Sequence, residues 1–193
     1  MRSQLDSLKN HLDPHFLFNN LNILAALIDS DQQASKTFIQ KFAEVYRTLL
    51  HSKSGDLISL RDELDFIQSY IYLMKVRFQN LIELESNVSA IAQGRMLPPL
   101  TLQMLVENVV KHNAISERMV LWIDIQSQGD EYLSVKNTIN LKKGTGDETS
   151  GTGLANIKQR YAHFTELPVK VLQSDSHFEV LVPLLKIEPS WRF

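Results

Sequence analysis

The chain of 193 residues contains no cysteine. Disulfides and thiolate-bound metal are thereby excluded, and a reducing compartment fits. It has no basic run either: 20 Lys and Arg stand against 22 Asp and Glu, a formal net charge of -2, which argues against a nucleic-acid footprint. No apolar stretch approaches the roughly 20 residues needed to span a bilayer, and no signal peptide precedes Leu5, so the chain as given is expected to be soluble. With 44% hydrophobic and 22% charged residues it is not a disordered composition, and its length suits one large or two small domains.

What the chain does have is helical periodicity. The segment Asp13-Pro14-His15-Phe16-Leu17-Phe18-Asn19-Asn20-Leu21-Asn22 sets a histidine directly after a proline, inside a helix expected over roughly Ser3 to Ile28. Pro14 cannot donate to the Asn10 carbonyl and its ring crowds that turn, so a bend is expected just before His15. His15, Asn19 and Asn22 share one face, while Leu17, Leu21, Leu24 and Ile28 repeat on the opposite one, which is expected to be the buried support. The spacing of Leu5, Leu8 and Leu12 is heptad-like, as in the tail of a longer helix.

Asp29-Ser30-Asp31 favours a turn, after which Phe38, Phe42, Val45 and Leu49 form a second stripe widened by Ile39, Tyr46 and Leu50, ending at Ser52-Lys53-Ser54-Gly55. The two helices make an antiparallel hairpin with more apolar surface than one hairpin can bury, so a homodimer with a four-helix bundle is expected. Phe16, Phe18, Phe38 and Phe42 are expected in the bundle core rather than around a ligand. Ser59 to Asp62 reads as a capping box opening a third helix with Leu60, Leu64, Ile67, Ile71, Met74 and Phe78 on one face.

After about residue 80 the pattern changes. Strands are predicted at Leu81 to Val88, Met119 to Gln126, Tyr132 to Asn137, Val169 to Gln173 and Phe178 to Leu184. A helix after Pro98-Pro99 carries Leu102, Leu105, Val106 and Val109, and another carries Leu154, Ile157, Tyr161 and Phe164. Helices on one face of a mixed sheet make an α+β sandwich, with the boundary to the helical part near residues 76 to 82.

This second part has a phosphate-site pattern. Asn108, Lys111 and His112 lie at i, i+3 and i+4, offering an amide oxygen and cationic or donor groups to one spot. An amide oxygen suits magnesium, which keeps waters and takes phosphate oxygens, and Lys111 would balance phosphate charge. His112 has an equally good structural reading as a residue that caps or packs near the helix end. Gly151-Thr152-Gly153 precedes a helix beginning near Leu154, so backbone N–H groups and the positive helix end can face an anion. Arg160 suits either a phosphate or an ion pair on its own helix, and His11, His51, His163 and His177 read as solvated or locally satisfied.

The run HLDPHFLFNNLN (His11 to Asn22) resembles the phosphoacceptor motif of LytS-type sensor histidine kinases, and LRDELDFIQSYIYLMKVRF (Leu60 to Phe78) resembles their connecting helix. LPPLTLQMLVENVVKHN (Leu97 to Asn113) resembles their N box, and GTGLANIKQRY (Gly151 to Tyr161) their second glycine box, all in the family's order. The resemblance implies residues 1–58 as a dimerisation and phosphotransfer hairpin, 59–80 as a connecting helix, and 81–193 as an ATP-binding domain of the GHKL (Bergerat) type. It implies autophosphorylation of His15 from ATP and Mg2+, then transfer to an aspartate on the receiver domain of a response regulator. It also implies a sensor region outside this chain, often membrane-spanning, with these residues on the cytoplasmic side.

By that resemblance Asn108 holds the magnesium, and Glu107 orients or deprotonates His15. Neutral imidazole offers a lone pair for in-line attack without a strong base, so positioning and charge neutralisation are the main demands. Asn19, one turn on, would hydrogen-bond the imidazole or position a water. Two departures stand out. Phe16 occupies the place where many histidine kinases have an acid, and the first glycine box is replaced by Val135-Lys136-Asn137-Thr138-Ile139-Asn140-Leu141. Asn137 is the positional match for the adenine-binding acid, a neutral acceptor in place of a carboxylate. A nucleotide-impaired docking module without phosphotransfer is therefore the competing reading.

Overall fold

The computed structural model describes residues 14–51, 57–140 and 152–186. Helices α1 (Pro14–Ser30) and α2 (Gln32–His51) are joined through Asp31, whose carboxylate accepts from Ala34 N at 2.9 Å and starts the second helix. Helix α3 (Leu60–Arg77) packs against both. Its start follows the sequence pattern: the Ser59 hydroxyl accepts from Asp62 N at 3.1 Å and donates to Asp62 Oδ2 at 2.6 Å. The bend expected before His15 and the leucines at 5, 8 and 12 lie outside the described residues.

The buried face of α1 differs from the expected one. Phe16 and Asn20 are its buried residues, with Ile23, Leu24 and Leu27 packed beside the core. Leu21 and Ile28 are 44% and 58% exposed, and Phe18 is 64% exposed. Two of the four residues assigned as support, Leu21 and Ile28, therefore look outward while Leu17 and Leu24 are half-buried. The buried face is centred on Phe16, whose ring fits between Tyr46 and Tyr70 with ring centroids at 6.3 and 5.6 Å. Phe38, Val45 and Leu49 are buried on α2 as expected, whereas Ile39 and Leu50 are exposed rather than widening the stripe. A polar bridge joins α2 to α3: Lys41 donates to Ser69 Oγ at 3.2 Å, and Ser69 donates to Glu44 at 2.7 Å.

The rest of the described chain is a mixed α/β layer. Short strands β1 (Ile58–Ser59) and β3 (Met96–Leu97) pair antiparallel, a small ladder that sequence pattern did not reveal. Between them, after α3, run β2 (Ile82–Asn87) and the one-turn helix α4 (Ala90–Gln93). Then come α5 (Thr101–His112), β4 (Leu121–Gln128), β5 (Tyr132–Thr138), α6 (Thr152–Tyr161), β6 (Lys170–Gln173) and β7 (His177–Pro183). The main sheet has the order β2-β4-β5-β7-β6, with β2 and β4 parallel and the other pairs antiparallel. N-terminal helices followed by a mixed sheet with helices match the expected architecture.

The sheet alternates as a half-covered sheet should. On β4, Leu121, Ile123 and Ile125 are buried while Trp122 and Gln126 are exposed. Register continues the buried face across the sheet, with Ile125 opposite Val135 and Val135 opposite Val180. Asn137 lies on that same inner face, opposite Ile123 on one side and Phe178 on the other. A polar residue thus occupies an apolar register.

Candidate functional site

Helix α5 brings its apolar face, Leu102, Leu105, Val106 and Val109, onto the sheet core, which turns Asn108 and His112 toward the sheet's edge of that face. There a cavity of about 400 Å3 is lined by Asn108, His112 and Asn113 of α5 and its end, by Asn137 and Ile139, by Leu154 of α6, and by strands β6 and β7. Asn137 is buried, and its Nδ2 donates to Thr138 O at 2.7 Å. Asn113, missed from the sequence, ties the end of α5 to the chain leaving β5: Nδ2 donates to Val109 O at 2.8 Å, and Oδ1 accepts from Asn140 N at 2.6 Å.

Gly153, in the first turn of α6, lies against Asn108. A Cβ built on it would stand 2.7 Å from Asn108 Nδ2 and 2.9 Å from Cγ, so only glycine allows this approach. The amide that sequence spacing offered as a metal ligand and the start of the helix offered as an anion site are therefore in contact. Leu154 lines the cavity beside them. Gly151 and the side chain of Thr152 lie outside what is described. Lys111 does not converge with its neighbours: it is exposed and absent from the cavity lining. The i+3 step from Asn108 carries it past the pocket mouth, whereas i+4 returns His112 to it. His112 is half-buried there.

His15 stands exposed on α1, with Asn19 half-buried one turn later. The neighbouring Asn20 is the more deeply buried amide, and its Nδ2 donates to Phe16 O at 2.7 Å. Glu107, expected to serve His15, is engaged elsewhere. Its Oε1 accepts from the Tyr70 hydroxyl at 3.0 Å and from Gln103 Nε2 at 2.8 Å. Arg160 donates to Pro99 O at 2.9 Å rather than pairing with an acid on its own helix. His51 and His177 are locally satisfied, by Arg47 O and Ser176 Oγ respectively.

Sequence reasoning also missed Glu63. It lies three residues after Leu60 and four before Ile67, a carboxylate on the buried face of α3, and that placement was the available signal. Its oxygens accept from Leu100 N at 3.1 Å and Leu102 N at 2.8 Å. Burial raises its pKa to about 7, against the opposing effect of these backbone bonds and the Arg160 charge.

Comparison with known proteins bears on this arrangement. A family model described as histidine kinase matches residues 3–82. The chain is 25% identical over 199 residues to the sensor protein LytS of Staphylococcus epidermidis, covering 94% of this chain and 34% of that protein. It is 31% identical over 173 residues to the sensor protein LytS of Streptococcus mutans, covering 82% of this chain and 30% of that one. Residues 3–82 thus match the histidine kinase family model, and over most of its length the chain is similar to LytS-type sensor proteins.

The chain spans about a third of the length of the curated relatives it matches. Among solved structures it is similar to the Acinetobacter baumannii histidine kinase AdeS, with a TM-score of 0.46 and 10% identity over 88% of this chain and 98% of that one. It is also similar to the histidine kinase domain of the blue-light activated kinase of Erythrobacter litoralis EL346, with a TM-score of 0.46 and 15% identity over 94% and 91%. No helix among the described residues is long and apolar enough to cross a membrane.

Proposed function

We propose that the chain is the catalytic part of an ATP-dependent protein-histidine kinase of a two-component system, autophosphorylating His15 and passing the phosphoryl group to an aspartate on a response-regulator receiver domain. The observation that carries this reading is the contact of Asn108 with Gly153 at the rim of a cavity large enough for a nucleotide. It joins a hard oxygen donor to the start of a helix, the two groups that a magnesium-bound triphosphate needs together. Among the described residues no cluster of three or more His, Asp or Glu could hold a metal, so a site built on one amide, waters and phosphate oxygens fits the donor set. Magnesium, held there by Asn108, would neutralise charge on the leaving phosphates.

In this reading the adenine enters between α5 and the sheet, where Asn137 lies on the floor. With Nδ2 committed to Thr138 O, its amide oxygen is the acceptor offered to the adenine amino group. Phosphoryl transfer forms a bond from a His15 ring nitrogen to the γ-phosphorus as the bond to the bridging oxygen breaks, and ADP leaves with the electron pair. Transfer to a receiver aspartate then restores His15. Glu107 serves His15 only after exchanging its bond with Tyr70. Asn19 acts on the imidazole or on a water beside it.

Residues 1–58 then form the dimerising hairpin, 59–80 the connecting helix, and 81–193 the GHKL-type ATP-binding domain. Exposed Phe18, Leu21 and Ile28 support a homodimer through α1. The sensor region belongs to the part of the relatives that this chain does not span, and a membrane anchor there would leave these residues cytoplasmic.

Incubation with γ-labelled ATP and magnesium tests the proposal. Acid-labile label that disappears in His15→Gln is the expected result. A folded, nucleotide-saturated protein that takes up no label would overturn it in favour of a docking module, the reading that the neutral Asn137 favours.

A further inference from the structure

Helix α5 has no cap of its own. Its N-cap residue, Leu100, sits at φ 62° and ψ 17° and offers no side-chain hydrogen bond to the first turn. A leucine in this left-handed conformation persists only where its surroundings hold it, and the first amides of a helix require acceptors. Both needs are met from another element. Glu63 of α3, fully buried, places Oε2 at 3.1 Å from Leu100 N and Oε1 at 2.8 Å from Leu102 N.

We infer that Glu63 is the positioning residue of the nucleotide-facing helix: its carboxylate, supplied from α3, caps the start of α5 and so sets where Asn108 and His112 enter the cavity. This rests on the reading of that cavity as a nucleotide site. Asn108 lies six residues beyond Leu102 on a continuous helix, so a tilt at the capped end moves it directly. Helix α6 docks on the same turn, through Arg160 to Pro99 O, and Gly153 in its first turn lies against Asn108. Both helices that flank the cavity are thus referenced to the turn that Glu63 holds. The charged and titratable groups facing Glu63 are Arg160 and Tyr161 of α6. Burial of the carboxylate is offset by two amides, the positive end of α5 and the guanidinium.

The test uses Glu63→Gln in the full chain. An amide has one acceptor oxygen, so one of the two backbone bonds is lost while volume is kept. The expected result is that hydrogen exchange at the Leu100 and Leu102 amides accelerates about tenfold or more, with protection at Leu121 and Val135 in the sheet unchanged. The apparent KM for magnesium-ATP in autophosphorylation rises about tenfold, while the labelling rate at saturating ATP changes less than twofold. Unchanged amide protection and unchanged KM in the folded variant would overturn the inference.

Should the variant fail to fold, the unaltered chain decides: the Leu100 and Leu102 amide resonances shift with one midpoint as Glu63 titrates, and amides insensitive to that titration overturn it. A chain that binds no nucleotide and takes up no label refutes the kinase reading instead, and the exchange and titration measurements still decide whether Glu63 caps α5.

Discussion

The Tyr70 hydroxyl on α3 donates to Glu107 Oε1 on α5 at 3.0 Å, while the Tyr70 ring stacks on Phe16, the residue after His15. One side chain therefore touches both the helix of the proposed phosphoacceptor and the helix that lines the proposed nucleotide cavity. Replacing Tyr70 with Phe keeps the ring and removes the hydrogen bond. Because Glu107 is exposed and can turn to water, the expected stability loss is about 1 kcal/mol or less, read as a melting shift of roughly 2–4 °C. A much larger loss would mean that the bond carries more of the fold than its exposure allows.

Phe16 is the aromatic that α1 buries, between Tyr46 and Tyr70. Phe16→Ala should cost about 3 kcal/mol through lost burial and the cavity left behind, measurable by denaturant unfolding followed at the helical signal. Phe18→Ala, at a 64% exposed neighbour, should cost the isolated chain little but weaken dimerisation, measurable by sedimentation.

Gly153→Ala should leave the chain folded and weaken nucleotide binding. The added methyl meets the Asn108 side chain rather than backbone, so the amide must turn away from the start of α6. Affinity for a fluorescent ATP analogue in magnesium should fall about tenfold, and unchanged affinity would show that Asn108 can move at no cost to the site.

For Asn108 itself, Asn108→Ala should reduce labelling at fixed magnesium by about tenfold or more, with partial recovery as magnesium is raised. Equal labelling at every magnesium concentration would remove the metal role from this residue.

Stability should depend on pH through Glu63. Burial raises its pKa from the usual 4.5 to about 7 in the folded chain. Such a group favours the fold fully below pH 4.5 and loses that contribution as pH rises through 7, a difference of roughly 3 kcal/mol. Relative to Glu63→Gln, the unaltered chain should therefore lose unfolding free energy across this window. Parallel curves for the two proteins would mean that Glu63 is not perturbed by burial.

Much of the candidate site was legible because it lies on single helices, where periodicity fixes direction. Asn108 and His112, four apart, do face one cavity, and Leu102, Leu105, Val106 and Val109 do face the core. Lys111 is exposed and does not line that cavity, because the helix turns Leu105, Asn108, Val109 and His112 toward it and this position away. Leu21 and Ile28 on α1 are exposed where burial was expected, because apolar periodicity marks burial without naming the partner, and this helix has more than one apolar side.

By itself the sequence determined the order of the long helices and of the main-sheet strands, the capping box at Ser59 and Asp62, the apolar face of the helix after Pro98-Pro99, and the four motif runs that carry the resemblance, all properties of residues close together in the chain. Tertiary structure alone decided that Gly153 closes on Asn108, that Tyr70 occupies Glu107, and that Glu63 caps a helix 37 residues further on. These contacts depend on how the chain returns to itself, and no local spacing encodes the distance at which a carboxylate meets the amides of another helix.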